Sequence, residues 1–553
     1  MPTLKIDGQE IQVEKGTTIL QAAQRLGIRI PTFCYHPGLS IAANCRMCLV
    51  EVAKSPKPMP ACHAQCADGM EVFTNTQKVQ ETQKAILEFI LLNHPVDCPI
   101  CDQAGECVLQ DNYADYSLSP SRLFTKKVHK AKAKPLGPKI ILDAERCILC
   151  TRCVRFGDEI TKTGELRVMS RGEHSEITTF PGKTLDNPYS LNVVDICPVG
   201  ALTSIDFRFK RRVWFMSATR SVCTECARGC NIRIDSFQNK IERYVPNYNP
   251  KVNQWWICDS GRMSHTRWTA NRVTEPRNTR TESSKTAIST RDVADEMAKA
   301  LVTSGKASAF VLDASMPNED AFVALRLARA VGSRLYLGGR AQNGPQDELL
   351  RLADRNANRT GISAIAGPSP LPGLAEFQKD VASGAFKTVL FIGGEHEGPD
   401  KWAKLLEKVS VIGVLADIRS DLVDIAHIVI PAAVPQMREG TVVNSHGRVQ
   451  RIRQAIRLEP AGVVFPYWRI LKRIATTAGL EATWNSERAI FGEIVASMPQ
   501  FAEMTYDKLG DLGLPLGSNG LSDVDVDAAT RNIDPSAPQY RKTNINSRMP
   551  WQH

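Results

Sequence analysis

Apolar positions along the 553-residue chain change their period several times. Residues 4–6 and 11–13 alternate apolar and polar around Asp7-Gly8, which predicts a β-hairpin. Residues 18–26 read as a short helix. Val79, Ile86, Leu87, Ile90 and Leu91 fall on one helical face, and Pro95 ends that helix beside His94. From about residue 285, strand and helix runs alternate: 309–312, 321–331, 335–337, 388–392, 402–406 and 409–415. Alternation of that length predicts a doubly wound α/β domain. After Asp511 the chain is rich in Pro, Gly, Asn and Ser without sustained periodicity, and predicts an extended polar tail over 511–553.

The composition is that of a folded chain: 43% hydrophobic, 23% charged, mean hydropathy −0.22, with a length that suggests three or four domains. The most apolar stretch, 85–92, is short and contains Glu88, so no membrane span is expected. The opening MPTLKIDGQE lacks a basic region followed by an apolar one, so no secretory signal is expected and the reading is a cytoplasmic, soluble protein. The net charge of +10 is spread over 69 basic and 59 acidic residues. Its densest run, residues 126–139 (KKVHKAKAKPLGPK), holds six lysines and reads as a solvated linker; no nucleic-acid partner is expected.

Cysteine carries the chemistry. All 16 lie between Cys34 and Cys258, and tight C-x2-C spacings in a large chain without a signal point to metal rather than disulfides. This divides the sequence into a cysteine-rich part, to about residue 270, and a cysteine-free part. The first set is Cys34, Cys45, Cys48 and Cys62, with Cys66 as a rival fourth ligand. Hairpin, helix and cysteine loop in that order fit a β-grasp ferredoxin with a [2Fe–2S] cluster, on a longer loop than the plant-type spacing. The second set, in HPVDCPICDQAGEC, is Cys98, Cys101 and Cys107 with His94 as the nearest fourth ligand, for a [4Fe–4S] cluster or, alternatively, a Cys3His zinc. The third, Cys147, Cys150 and Cys153, opens a bacterial ferredoxin run whose fourth position is Gly157; a Cys-Pro pair occurs instead at Cys197. That pattern is a degenerate two-cluster ferredoxin retaining one [4Fe–4S] cluster, with four zinc ligands as the alternative. The fourth set, Cys223, Cys226, Cys230 and Cys258, looks like the [4Fe–4S] site that opens molybdopterin oxidoreductases; zinc is again the alternative. Fifteen cysteines plus His94 supply four sets of four, leaving Cys66 as a buried thiol. In the cysteine-free part, Gly393-Gly394 after a strand suits a phosphate only weakly, and REGTVVNSHGRVQR (438–451) suits either a phosphorylated cofactor or a buried loop.

Through IPTFCYHPGLSIAANCRMCLVEV, LNHPVDCPICDQAGECVLQD, RCILCTRCVRF and DICPVGALTS, the chain resembles the G (75 kDa) subunits of NADH-quinone oxidoreductase, respiratory complex I, specifically over residues 1–205 and more loosely, through EGTVVNSHGR, beyond. The resemblance implies six segments: a β-grasp [2Fe–2S] domain (1–78), a His/Cys3 [4Fe–4S] domain (79–118), a ferredoxin-like [4Fe–4S] domain with the basic linker (119–215), a molybdopterin-oxidoreductase-type [4Fe–4S] domain (216–272), an α/β pterin-oxidoreductase-like domain (273–510) and the tail. It also implies electron transfer from a flavin- and NADH-binding neighbour toward quinone. Electrons would enter at the Cys34 cluster, pass the Cys147 cluster and leave from the His94 cluster to a ferredoxin-like subunit, with the Cys223 cluster off the path and favouring a bacterial chain. The place implied is the cytoplasmic side of the bacterial inner membrane, peripheral through the complex.

Two departures stand out. Related molybdenum enzymes commonly carry Lys two residues after the last cysteine, where this chain has Ser260, and the C-terminal part is short for the family. With no cysteine after Cys258 to ligate molybdenum, molybdopterin is expected to be absent. The alternative is a subunit of a soluble NAD-linked formate dehydrogenase-like molybdenum enzyme.

Overall fold

The computed structural model describes residues 1–117, 120–280, 288–398 and 402–524. They form two compact units, Met1–Met216 and Ser217–Val524.

In the first unit the expected hairpin is present: Thr3–Ile6 (β1) and Gln9–Gln12 (β2) pair antiparallel across Asp7-Gly8. Thr18 caps helix Ile19–Arg25 by exchanging hydrogen bonds with Gln21, which satisfies amide groups the first turn leaves open. Leu49–Val52 (β3), Met59–Pro60 (β4) and Glu71–Phe73 (β5) complete a sheet of order β2-β1-β5-β3-β4. Ile19, Leu20, Ala22 and Ala23 of the helix share its core with Leu4, Ile6, Val50 and Val72. The predicted second helix spans Gln77–Leu91, capped by Thr76, and is followed by helix Val108–Tyr116. Lys134–Pro135 (β6), Ile140–Leu142 (β7) and, after a separate ribbon of Leu166–Met169 (β8) with Glu176–Thr179 (β9), Leu202–Ser204 (β10) form a small sheet of order β10-β7-β6. Helices Arg152–Arg155 and Asn192–Ile196 sit between them in sequence.

The lysine run departs from its reading as a solvated linker. Lys127 donates to the carbonyls of Leu91 and His94, Lys130 to that of Ser175. Lys132 pairs with Asp97, Asp143 and Glu145, Lys134 with Glu176 and Lys139 with Asp186. The run is a strap that fastens the second helix to the ferredoxin-like segment; each acid it meets lies far off in sequence or in a different loop, which composition does not reveal.

The second unit opens with an antiparallel sheet, Ser217–Val222 (β11), Asn231–Phe237 (β12) and Lys240–Pro246 (β13). Its main sheet contains Arg277–Asn278 (β14), Ser308–Asp313 (β15), Arg334–Gly338 (β16), Thr388–Ile392 (β17), Val411–Ala416 (β18) and Ile428–Pro431 (β19) in the order β14-β19-β18-β17-β15-β16. Strands β15 to β19 are parallel. Successive residues alternate between two apolar cores: Phe310, Leu312, Leu390 and Ile392 face one, Ala309, Val311, Val389 and Phe391 the other. Both faces are covered, as an all-parallel set requires. The strand order reverses between β15 and β17, which makes the crevice at their carboxyl ends the place where such sheets usually hold ligands.

Gly440–Val443 (β20), Arg448–Ile452 (β21) and Leu514–Pro515 (β22) form a third sheet. The expected tail therefore begins later than residue 511. Leu514 is buried, and Arg448 donates to the carbonyls of Leu512 and Gly513 and pairs with Asp523. A two-residue strand held by one long-range arginine leaves no periodic trace. The rest of the tail, 525–553, lies outside the described residues. The division after residue 216 also differs from the cut at about 270 drawn from cysteine content, and groups the fourth cysteine set with the α/β sheet. No helix among the described residues is long and apolar enough to cross a membrane.

Candidate functional site

The first set lies in the loop after the first helix and in the core of its sheet. Cys34, Cys48 and Cys62 are buried, and Cys48 and Cys62 pack with Val50 and Val72. The thiols meet in two pairs, Cys34 with Cys45 and Cys48 with Cys62; the hydrogen bond within each pair favours Cys34 and Cys48 as thiolates and holds Cys45 and Cys62 protonated. Ala43 and Arg46 flank Cys45 in left-handed backbone (φ 49° and 60°), a strained turn of the kind found at ligand sites. Cys62 rather than Cys66 partners Cys48; burial pushes the Cys66 thiol up, and its amide donates to the Thr17 carbonyl.

In the second set, His94, Cys98 and Cys107 line one open cavity of about 1010 Å³. Burial pulls the His94 imidazole down to about 4, so the ring is neutral, and its Nδ1 is buried without a hydrogen-bond partner. A buried nitrogen without a hydrogen-bond partner costs stability, and a neutral imidazole lone pair is what a metal ligand requires. Cys101 is not in that lining. It faces Gly200, where a Cβ would stand 2.4 Å from its Sγ, so the third-set loop can pass Cys101 only as glycine.

Cys147, Cys150, Cys153 and Cys197 line a single cavity with Leu142, Ile148, Ile177, Val199, Ala201 and Leu202. Burial raises all four thiols, Cys147 to about 12 and Cys150 to about 11. The amides of Val199, Ala201 and Leu202 oppose this at Cys197 by donating to its sulfur, an arrangement that stabilises thiolate and sets cluster potentials.

This third set touches both others. Arg155 donates to the carbonyls of Cys34 (2.5 Å) and Cys150 (3.3 Å), and Arg152 to those of Tyr35 and Ile196. Asn44 donates to the Leu149 carbonyl. On the other side the Val108 amide donates to the Pro198 carbonyl at 3.0 Å. In the sequence the only sign of this role is that Arg152 and Arg155 alternate with Cys150 and Cys153 in CTRCVRF.

Cys223, Cys226, Cys230 and Cys258 are all buried. The first three occupy the loop between the paired ends of β11 and β12, where Val222 faces Asn231. Cys258 caps helix Asp259–Met263, its sulfur accepting from the Gly261 amide at 3.3 Å. A Cβ on Gly261 would lie 3.1 Å from the Cys223 sulfur and 3.3 Å from that of Cys258, which places both around this glycine. Ser260 Oγ stands 3.3 Å from the Cys258 sulfur. Among the described residues no group of three or more His, Cys, Asp or Glu side chains is arranged to hold a single metal ion.

The crevice at the carboxyl ends of β15 and β17 is spanned by ion pairs: Arg340–Glu225 (3.0 Å), Arg267–Glu225 (3.0 Å), Arg267–Glu395 (2.9 Å) and Arg438–Asp417 (2.7 Å). Asp313 joins them in the lining, its carboxyl pushed up to about 6 by burial and by Asp417. The glycine pair serves packing rather than a phosphate. A Cβ on Gly394 would lie 2.2 Å from the Ile418 carbonyl, and the Gly394 amide donates to Asp417. Of the two readings for residues 438–451, the buried loop is the one the contacts favour: Asn444 accepts from His446 and Arg448 amides and donates to the Arg228 carbonyl.

Four family models match along the chain. They are a 2Fe-2S iron-sulfur cluster binding domain (residues 1–77), the NADH-ubiquinone oxidoreductase-G iron-sulfur binding region (83–122), the NADH-quinone oxidoreductase subunit 3 ferredoxin-like domain (137–203) and the molybdopterin oxidoreductase Fe4S4 domain (216–269). Similar curated proteins include the NADH-quinone oxidoreductase G subunit of Rickettsia bellii and the NADH-ubiquinone oxidoreductase 75 kDa subunit of Reclinomonas americana. Each is 45% identical over 276 residues, 50% of this chain and 40% of the relative. The corresponding G subunit of Streptomyces coelicolor is 43% identical over 263 residues, 47% of this chain and 31% of its own. The match thus spans well under half the length of these relatives. A chain from a NAD+-reducing [NiFe]-hydrogenase in the H2-reduced state is 26% identical with a TM-score of 0.35, covering 38% of this chain and 91% of that one. Over the cysteine-rich part the chain is thus similar to NADH-quinone oxidoreductase G (75 kDa) subunits, and its matched segments are ferredoxin-like iron–sulfur domains followed by a molybdopterin-oxidoreductase Fe4S4 domain.

Proposed function

We propose that the chain is an electron-transfer subunit in the hydrophilic arm of an NADH:quinone oxidoreductase, complex I. It takes electrons from a flavin- and NADH-binding subunit and passes them toward quinone, and the whole complex couples this to proton translocation. Its partners on this reading are the flavin subunit, a ferredoxin-like subunit and other arm subunits, with the membrane arm reached indirectly. Its place is peripheral, on the cytoplasmic side of a bacterial inner membrane. The domains are read as a β-grasp ferredoxin, a His/Cys3 domain, a one-cluster ferredoxin and an α/β pterin-oxidoreductase-like domain.

The donor sets assigned are Cys34, Cys45, Cys48 and Cys62 for a [2Fe–2S] cluster, and His94 with Cys98, Cys101 and Cys107, Cys147 with Cys150, Cys153 and Cys197, and Cys223 with Cys226, Cys230 and Cys258 for three [4Fe–4S] clusters. The orphaned His94 Nδ1 and the convergence of Cys147, Cys150, Cys153 and Cys197 on one apolar cavity support that fit. Such clusters, when bound, supply one-electron carriers with potentials set by ligand, burial and hydrogen bonds to sulfur. The chain's own residues bury the thiols, aim amides at Cys197 and Cys258, and hold the imidazole neutral. The observation that carries the reading is the contact of the third set with both the first and the second, through Arg155 and through Val108 and Pro198; that order matches a relay.

Molybdopterin fits poorly. Three arginines in the crevice face four carboxylates and are already paired, so the site offers no net positive charge to a phosphorylated cofactor.

Elemental analysis of the anaerobically purified native assembly tests this. The expected result is about 14 iron atoms on this chain, one two-iron and three four-iron clusters, beyond those on its partners and without molybdenum. Stoichiometric molybdenum or tungsten overturns the reading of the second unit, and stoichiometric zinc that of the cluster sites.

A further inference from the structure

The two arginines of CTRCVRF sit on helix Arg152–Arg155, directly after left-handed Leu149 and Thr151 (φ 54° and 59°). That backbone turn throws the helix toward the first cysteine loop. Arg155 then uses every edge of its guanidinium. Nη2 donates to Cys34 O and Cys150 O, Nη1 to Ser40 O, and Nε to Thr151 Oγ1 at 3.4 Å. The two cysteines belong to different ligand sets, and one planar cation spans their carbonyls. Arg152, itself 1% exposed, repeats the pattern one turn earlier with the neighbours of two ligands, Tyr35 after Cys34 and Ile196 before Cys197. Glu159 closes the surface side by accepting from the amide and hydroxyl of Ser40.

A guanidinium suits this place for three reasons. It keeps its charge when desolvated, its fork fixes geometry at several acceptors at once, and it fills the gap that water would otherwise enter. A fixed positive charge between two electron carriers favours the reduced, more negative form of each.

We propose that Arg155 is the positioning residue of electron hand-over between the first and third cysteine sets: its guanidinium, bridging the Cys34 and Cys150 carbonyls, holds the two loops at one separation and raises the potential of both sites together. The inference rests on reading both sets as iron–sulfur sites. The effect is shared by two sites and absent from the other two, which a residue serving only its own loop would not produce.

The test uses the full chain with its clusters, R155M and R155K variants, and potentiometric titration followed by electron paramagnetic resonance, with iron content measured throughout. In R155M both midpoint potentials fall by at least a tenfold change in the reduced-to-oxidised ratio at fixed potential. The signals of the His94 and Cys223 sites stay where they were, and the relaxation enhancement between the first and third paramagnets weakens. R155K keeps the charge but not the fork; it restores most of the potential and less of the magnetic coupling. Iron retained with both potentials and the coupling unchanged overturns the proposal, and so does a shift confined to the third site. If R155M fails to take up iron, R155K decides: unaltered coupling there also overturns it. The underlying reading fails separately if Cys34→Ser and Cys150→Ser each leave every cluster signal intact.

Discussion

The ammonium of Lys127 lies 2.8 Å from the carbonyl oxygen of His94 and 2.7 Å from that of Leu91. A lysine of the basic run thus closes the carboxyl end of helix Gln77–Leu91, where the helix presents unsatisfied carbonyls and partial negative charge, and stands beside the imidazole assigned as ligand. Lys127→Met removes both effects. The expected outcome is a loss of about 1–2 kcal/mol in the first unit and a lower midpoint potential at the His94 site, read by denaturant titration and by redox titration. A potential that stays put would separate the strap from the redox chemistry.

His94→Cys replaces a neutral donor by an anionic one and so makes the second site more negative. Its potential is expected to fall and electron exit to slow. An unchanged potential in the variant would remove His94 from the ligand set.

Gly200→Ala places a methyl 2.4 Å from Cys101 Sγ and 3.0 Å from Gln103 Cβ. Neither neighbour is the free end of a long side chain, so the loop must shift. The expected result is loss of iron from the second site first, about four atoms per chain, while the first and fourth sites keep theirs; iron counting with electron paramagnetic resonance distinguishes the sites.

The second unit carries three buried carboxyls pushed up by desolvation: Asp313 to about 6, Asp320 to about 7 and Glu319 to about 8. Each holds its proton in the folded state at a pH where the unfolded chain has released it. Their contribution is therefore complete below the ordinary carboxylate range and is lost as pH climbs through about 6 to 8, with a slope of at most about 1.4 kcal/mol per pH unit for each proton. Glu319 accepts from the Thr441 amide at 2.7 Å and contacts Tyr506 Oη at 3.0 Å, so Glu319→Gln keeps the shape and removes the ionisation. Urea unfolding at pH 5.5 and 8.5, followed by fluorescence of the six tryptophans between residues 217 and 524, should show stability falling with pH and the variant falling less. Stability rising over that interval would refute the assignment.

Elements whose causes are local were legible along the chain. The Asp7-Gly8 hairpin, the short helix after it, and the runs that became β15 to β18 each depend on neighbours within a few residues. The grouping of Cys147, Cys150 and Cys153 with the distant Cys197 around one cavity was marked in the sequence by the short C-x2-C spacings and by the Cys-Pro pair. What spacing did not reveal was Lys127 at His94 or Arg155 between Cys34 and Cys150, because these contacts join residues far apart in sequence.

By itself the sequence determined the chemistry and the class: sixteen cysteines in four patterns, a histidine beside one of them, and a parallel α/β domain after them. Tertiary structure decided the order in which the sites touch, the charge-paired crevice between β15 and β17, and the grouping of the fourth set with the α/β sheet rather than with the other three. It also turned a lysine run into a strap and the start of a tail into a strand. Periodicity and ligand spacing are short-range and survive in one dimension, whereas arginine bridges, ion-pair networks and strand additions arise when distant segments desolvate each other, and that happens only in the folded chain.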